Sequence, residues 1–403
     1  MRSLSQPRFA AYVSVHSLSQ LGTWVQQIVV GWYAWEQTHS EAILGLIAFL
    51  QFGPALVLTP IAGVLADGRR EGRIVAAADA VSGAAALSLA ALAAAQVLSV
   101  PALLAGVLLS GIAGSLAQPA RQVFVARLVG REALPSAVAV NSVSMNVARS
   151  MGPLGAAALI ATQQLPWAFL LNGVATIANA AVLWRLAPPD RAPGARAPAL
   201  AGGGSMFAAA LDGLKAAWAS PVLRPVLGLY LAYALLGRPV IDMLPAIVGQ
   251  LLGGTGTLLG QLNSLFGVVA IVAGLLMTWL PARRLLQAEV LSLAWMAVGV
   301  AVLVHADGTA GAFAGIAIFA VGQVAVNVSS TTAAQLCSDS ALTGRVMALH
   351  VLAFRFGAAL GGLAVGAVAD LVGLWETMVA VAAALLAAFI CGGLATRRVR
   401  LQV

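Results

Sequence analysis

Apolar residues in this chain come in blocks about as long as a membrane is thick, separated by short polar breaks. The blocks fall near 9–35, 42–66, 74–96, 101–127, 135–162 and 165–187, then near 221–251, 256–280, 285–306, 309–337, 341–370 and 374–396. One helical crossing of the hydrocarbon takes about 20 apolar residues, so each block predicts one spanning helix. The breaks carry turn and cap residues, as in Ser99-Val100-Pro101, Gln164-Leu165-Pro166 and Gly253-Gly254-Thr255-Gly256. Between the sixth and seventh blocks lies 188–204, a Pro/Gly/Ala-rich stretch that cannot pack a core. The following stretch, 205–220, spaces Phe207, Leu211, Leu214 and Trp218 helically, with Asp212 and Lys215 on the other side. It predicts an amphipathic helix on the inner membrane face, in contact with lipid. The pattern therefore predicts an all-α polytopic membrane protein: a six-helix bundle over 1–187, a cytoplasmic linker over 188–220, and a second six-helix bundle over 221–403.

Composition agrees, with 61% hydrophobic and 9% charged residues in 403. A soluble chain of that length needs far more charge on its surface. With the N-terminus inside, the outward loops near 36–41, 97–100, 163–165, 252–255, 305–309 and 371–374 contain no Arg or Lys. The inward loops and tails hold the basic residues, among them Arg73, Arg127, Arg131, Lys215, Arg283, Arg284 and Arg345. The positive-inside rule then places both termini in the cytoplasm. The net charge of +8 reads as topology and contact with anionic lipid, and argues against a nucleic-acid partner.

Several chemistries are excluded. The single lysine, Lys215, follows Leu214, so no phosphate-binding loop is encoded and no ATP cofactor is implied. Cys337 and Cys391 are too far apart for a CxxC pair, and His16, His39, His305 and His350 never fall at HExxH spacing, so no metal is implied either. Arg2 and Arg8 precede a long apolar run without the short core and small-residue pattern of a cleavable signal. A membrane enzyme needs clustered His, Asp or Glu at one face, and the pattern shows none; the chain is expected not to be an enzyme.

The two halves look related. The fifth block reads Asn146-Val-Ala-Arg149-Ser-Met-Gly152-Pro153-Leu-Gly155, and the eleventh places Arg355 shortly before Gly357, Gly361 and Gly362. Repeated halves are the plan of transporters that alternate access about a midplane site. Between the second and third blocks runs Gly63-Val64-Leu65-Ala66-Asp67-Gly68-Arg69-Arg70-Glu71-Gly72-Arg73. Asp67 can pair with arginine or cap a neighbouring helix, a contact able to latch one conformation. Six plus six spans with this loop resemble the major facilitator superfamily, whose second loop reads roughly Gly-x-Leu-Ala-Asp-Arg-x-x-Arg-Arg. Here Gly68 replaces the arginine after the aspartate. The resemblance implies a latch built from Gly63, Asp67, Arg69, Arg70 and Arg73. Gly152, Pro153 and Gly155 are similar to the Gly-Pro-x-Gly-Gly core of the superfamily's exporters, a hinge where helices approach closely. The stretch from Gln118-Pro119-Ala120-Arg121 to Asn146-Val147-Ala148-Arg149, with Arg238-Pro239, Leu244-Pro245-Ala246 and Gly344-Arg345-Val346-Met347, resembles the siderophore-exporter and macrolide-efflux branch. The arginine usual in the middle of the fourth span is absent, and with it the proton scheme built on it.

A charge at the bilayer centre costs at least about 2.5 kcal/mol, so each needs a partner or a purpose. Arg149 and Arg355 lie deepest, Arg121 lies in the fourth span, and Arg238 stands one turn from Asp242 in the seventh. Asp79 is expected to pair with a nearby arginine. Four arginines against one or two carboxylates predict a positive cavity. With Trp24, Gln27, Gln118, Gln323 and Asn327, and Asn141 beside them, it suits an oxygen-rich anion such as a siderophore. Trp24, Gln27, Gln118, Arg121, Arg149, Arg238, Gln323, Asn327 and Arg355 are the candidate substrate contacts. Asp242 and Glu36 are the candidate proton carriers, Glu36 having solvation at the outer end of the first span as its alternative. The resulting expectation is a monomeric inner-membrane exporter of a small organic anion in exchange for protons. A macrolide or multidrug pump is the alternative, and a non-transporting receptor is the reading outside transport.

Overall fold

The computed structural model describes residues 3–58, 62, 71–187, 214–215, 218, 220–338 and 342–396, except the side chain of Arg131. Every regular element among them is a helix. In chain order these are α1 (Pro7–Thr38), α2 (Glu41–Leu58), α3 (Glu71–Ala94), α4 (Val100–Gly130), α5 (131–161) and α6 (Leu165–Leu186). There follow α7 (Leu223–Leu251), α8 (Gly256–Met277), α9 (Ala282–Val304), α10 (Thr309–Leu336), α11 (Thr343–Val372) and α12 (Leu374–Thr396). Nine of these described helices are long and apolar enough to span, and α7 makes ten when counted across its bend. The other two, α1 and α5, fall short because polar residues run through them: Ser17, Gln20, Thr23 and Gln27 in one, Asn141, Ser144, Asn146 and Arg149 in the other. In a helix bundle, polar residues face protein or water rather than lipid.

Local chemistry explains the boundaries. Ser99 caps α4 by accepting from the Ala102 amide, and Ser40 caps α2 by accepting from Ile43. α4 runs into α5 with one break, at Gly130, whose φ of 74° lies where glycine alone is unstrained.

The chain forms two compact units, Met1–Tyr33 with Pro54–Gly204, and Ala34–Gly53 with Ser205–Val403. In the first, α3 packs on α4 and α6; in the second, α9 packs on α10 and α12. The third helix of each half thus has the same neighbours, as a repeat requires. Glycines permit the approach: a methyl group at Gly299 would lie 2.5 Å from the Phe319 amide, and one at Gly322 would lie 2.6 Å from the Ser292 carbonyl. The segment 34–53 joins the second unit because α2 lies on α11 glycine to glycine. A methyl at Gly45 would strike the Gly362 carbonyl, and one at Gly366 the Glu41 carbonyl. The latch residues Gly63, Asp67, Arg69 and Arg70, the linker 188–204, and most of the amphipathic stretch 205–220 lie outside the described residues. Leu214, Lys215 and Trp218 of that stretch are helical and exposed.

Candidate functional site

In the first unit, α1 and α5 meet along their polar faces. Ser17 donates to Ser144 at 2.8 Å, and the Arg149 guanidinium lies over the Trp24 ring, 5.8 Å from its centroid. One turn on, the hinge motif closes the contact. A methyl at Gly152 would sit 2.5 Å from Trp24 Cβ, whereas one at Gly155 would touch Val25 at an ordinary 3.4 Å. Pro153 is buried between them. Gln27 is half-buried and Gln118 exposed.

Arg121 is placed differently from Arg149. Its Nη2 donates to Asp79 Oδ1 of α3 at 2.7 Å, and Asn179 of α6 donates to Asp79 Oδ2, also at 2.7 Å. His16 Nδ1 lies 3.4 Å from Arg121 Nη1, and the His16 ring stacks on Tyr12. Asp79 has the arginine partner expected of it, and Arg121 presents a neutralised charge. Nearby, Glu71 is buried and paired with Arg127, while Arg73 stacks on Trp184. The polar residues Asn172 and Asn179 were not singled out by sequence. Asn172 donates to Gln26 and accepts from Thr23, ties between α6 and α1 that no local spacing reveals.

In the second unit, α7 is the distorted element. π-helical turns occupy Tyr233–Gly237 and Ile247–Leu251, and the axis bends by 44° between Asp242 and Leu244. Pro239 and Pro245 each remove a backbone donor there. Broken helices in transporters mark the places where side chains and freed backbone meet cargo or ions. Arg238 and Asp242 sit between the two π turns, joined at 2.8 Å, with Asp242 Oδ2 buried and lacking a hydrogen-bond partner among the described residues. The Arg238 guanidinium stacks on Phe52 of α2. One and two turns earlier, the phenols of Tyr233 and Tyr230 engage α10. Tyr233 accepts from Gln323 at 3.1 Å and from Asn327 at 3.2 Å, and Tyr230 donates to Asn327 at 3.2 Å. Phe354 packs on both tyrosine rings and on Phe52. Arg355 beside it is half-buried, and Glu36 is exposed at the end of α1.

The structure therefore groups Trp24 with Arg149 and Gly152 in one unit, and Gln323, Asn327, Arg238 and Asp242 with an aromatic cluster in the other. Tyr230, Tyr233 and Phe354 were missed in the sequence because a lone aromatic in an apolar run carries no signal of its partners. No group of three His, Cys, Asp or Glu able to hold a metal occurs among the described residues.

The sequence matches one protein family, described as transmembrane secretion effector, over residues 1–402. No curated protein matches it in sequence. Among solved structures it is similar to a bacterial homologue of the human lysosomal transporter Spinster, inward-facing and unoccupied. The TM-score is 0.72 at 16% identity, covering 97% of this chain and 98% of that one. It is also similar to the nucleoside transporter NupG, with a TM-score of 0.70, 12% identity, and 97% and 99% of the two chains covered. A third likeness is to a POT family transporter bound to 5-aminolevulinic acid, with a TM-score of 0.73, 10% identity, and 95% and 94% covered.

Proposed function

The chain belongs to the transmembrane secretion effector family of the major facilitator superfamily, membrane transporters rather than enzymes, and from that premise we propose that it exports a siderophore-like organic anion in exchange for protons. The transporter works by alternating access in a bacterial inner membrane, as a monomer with both termini cytoplasmic. The observation that carries the cargo class is the sign of the charge partly exposed on the spanning helices. Asp79 is held by Arg121, Glu71 by Arg127 and Asp242 by Arg238, while Glu289 is sealed within the second unit. Arg149, whose guanidinium also lies over the Trp24 ring, and Arg355 are partly exposed within their helices. A lipophilic cation needs a reachable carboxylate; a multidentate oxygen anion needs guanidinium and amide donors. Trp24 and Arg149, with Gln27, supply one set, and Gln323, Asn327 and Arg355 the other.

Asp242 is the proton carrier linked to cargo. Its ion pair stands at the break of α7, where a change in helix geometry can separate the partners and free the carboxylate to take up a proton. The aromatic cluster of Tyr230, Tyr233, Phe354 and Phe52 is the feature that favours the second reading, efflux of a macrolide or other large lipophilic drug. Proteoliposomes under an imposed pH gradient separate the two. Siderophore movement that a protonophore abolishes supports the anion reading; movement of a cationic dye without the siderophore transfers the function to multidrug efflux.

A further inference from the structure

Glu289 lies on α9 with no exposed surface, and neither carboxyl oxygen has a hydrogen-bond partner among the described residues. The layer around it is composed of neutral and weakly basic groups. From α10, Ser330 faces the carboxyl and its hydroxyl lies 3.1 Å from His350 Nε2 of α11. From α7, the Tyr230 ring stacks on His350 with centroids 3.8 Å apart, and Tyr233 lies beside Tyr230. Ser329 of α10 is also buried without a partner among the described residues. α12 brings glycine to this layer, Gly393 against Val290 and Gly392 against Leu229. Its own described titratable groups are Glu376, at its first turn, and Cys391, which is exposed. The arginines at the start of α9, Arg283 and Arg284, are exposed, and none of the described ion pairs involves Glu289.

The first unit shows what this position looks like when a permanent cation fills it. Arg121 stands 21 residues beyond Val100 in α4, and Ser330 stands 21 residues beyond Thr309 in α10. Both face an acidic residue of the helix before, Asp79 or Glu289. The first pair is an ion pair with Asn179 and His16 beside it. In the second, serine replaces arginine, and among the described residues no guanidinium pairs with the acid. A buried carboxylate without a cation is the costliest state open to this side chain, and a proton is the counter-charge that fits the space. His350, on the far side of Ser330, is the group able to receive that proton.

We propose that Glu289, Ser330 and His350 form a proton-binding site in the second unit, loaded and unloaded during transport. Glu289 holds the proton on its carboxyl. On unloading, that proton passes to Ser330 Oγ as the serine hydroxyl proton passes to His350 Nε2, and His350 then gives up one proton to water, leaving carboxylate and neutral imidazole; loading takes a proton from water and reverses both transfers. Its use in transport rests on the proton-exchange reading above; its occupancy by a proton does not.

Two measurements on the full chain separate these. Infrared spectra of the reconstituted protein should show the carbonyl stretch of a buried carboxylic acid that disappears in Glu289→Gln. Absence of that band overturns the site whatever the transport data show. In proteoliposomes with a labelled siderophore, Glu289→Gln should lose about tenfold in gradient-driven accumulation while keeping cargo exchange within about twofold of wild type. Accumulation at the wild-type level overturns the coupling role. A band present in a wild type that ignores the pH gradient sinks the proton-exchange reading and leaves the site standing. Ser330→Ala, which removes a hydroxyl and no charge, provides the same test should Glu289→Gln fail to fold: slower gradient-driven flux supports the relay, and unchanged flux overturns it.

Discussion

Asp79 and Arg121 show how a charge inside an apolar span acquires meaning from its partner. At 2.7 Å, with Asn179 on the second carboxylate oxygen, the pair is largely withdrawn from solvent. Removing one member strands the other, a loss that costs about 3 kcal/mol where burial is complete and less here. Asp79→Asn and Arg121→Gln should each lower the apparent Tm in detergent, and the double variant should recover most of the loss. A double variant as unstable as either single one would show that the two act separately. Asp242→Asn strands Arg238 in the same way and should also lower Tm; what sets it apart is the expected loss of gradient-driven transport, which Asp79→Asn should largely spare. Arg149→Gln should raise the KM for an anionic cargo about tenfold, the loss of one charge-assisted hydrogen bond. An unchanged KM would remove Arg149 from the cargo site. Charged residues in apolar runs were legible in the sequence because their cost demands an explanation. Glu289 was not: it follows Arg283 and Arg284 closely and reads as the polar start of a span. Only the packing of α9 against α10 and α12 reveals that it is sealed.

Glycine spacing determines how helices meet, and the two glycines of the hinge motif do different things. Gly152 presses on Trp24, and a single methyl cannot be accommodated without moving α5 off α1. Gly155 leaves room for one at 3.4 Å from Val25. Gly152→Ala should therefore reduce transport strongly, and Gly155→Ala should leave it near wild type; equal effects would remove the close approach as the reason for the motif. A second element-level contact lies at the start of α2. Asp370 of α11 accepts from the Ser40 hydroxyl at 3.0 and 3.1 Å and from the Ala42 amide at 3.1 Å. It adds a carboxylate to the positive end of the helix, where a cap contributes about 1 kcal/mol. Asp370→Ala should lower stability by about that amount, measured by thermal unfolding. The helix boundaries were legible to within a few residues, because caps such as Ser40 and Ser99 are local signals. The π turns of α7 were not, since Pro239 and Pro245 announce a distortion without saying whether the helix bends, widens or stops.

At the scale of the molecule, twelve apolar blocks correspond to the twelve helices α1 to α12 among the described residues, since span length and the alternation of apolar block and polar break are properties of the chain alone. Cargo is legible only through charge, and charge has a consequence that transport electrophysiology can read. Exporting a monoanion while importing one proton moves two positive charges inward per cycle. At an inside-negative potential of about 100 mV, each charge contributes about 2.3 kcal/mol, so the cycle gains about 4.6 kcal/mol from voltage alone. Exchange of one proton for one monovalent cation moves no net charge and gains nothing. Proteoliposomes clamped with potassium and valinomycin, at equal pH on both sides, should therefore export an anionic siderophore faster when the cytoplasmic face is negative and slower when the sign is reversed. Arg149→Gln should weaken cargo binding without abolishing this voltage dependence, because the charge that moves belongs to cargo and proton. Flux indifferent to voltage would refute one-for-one exchange of a monoanion and a proton and would fit a monovalent cationic cargo instead.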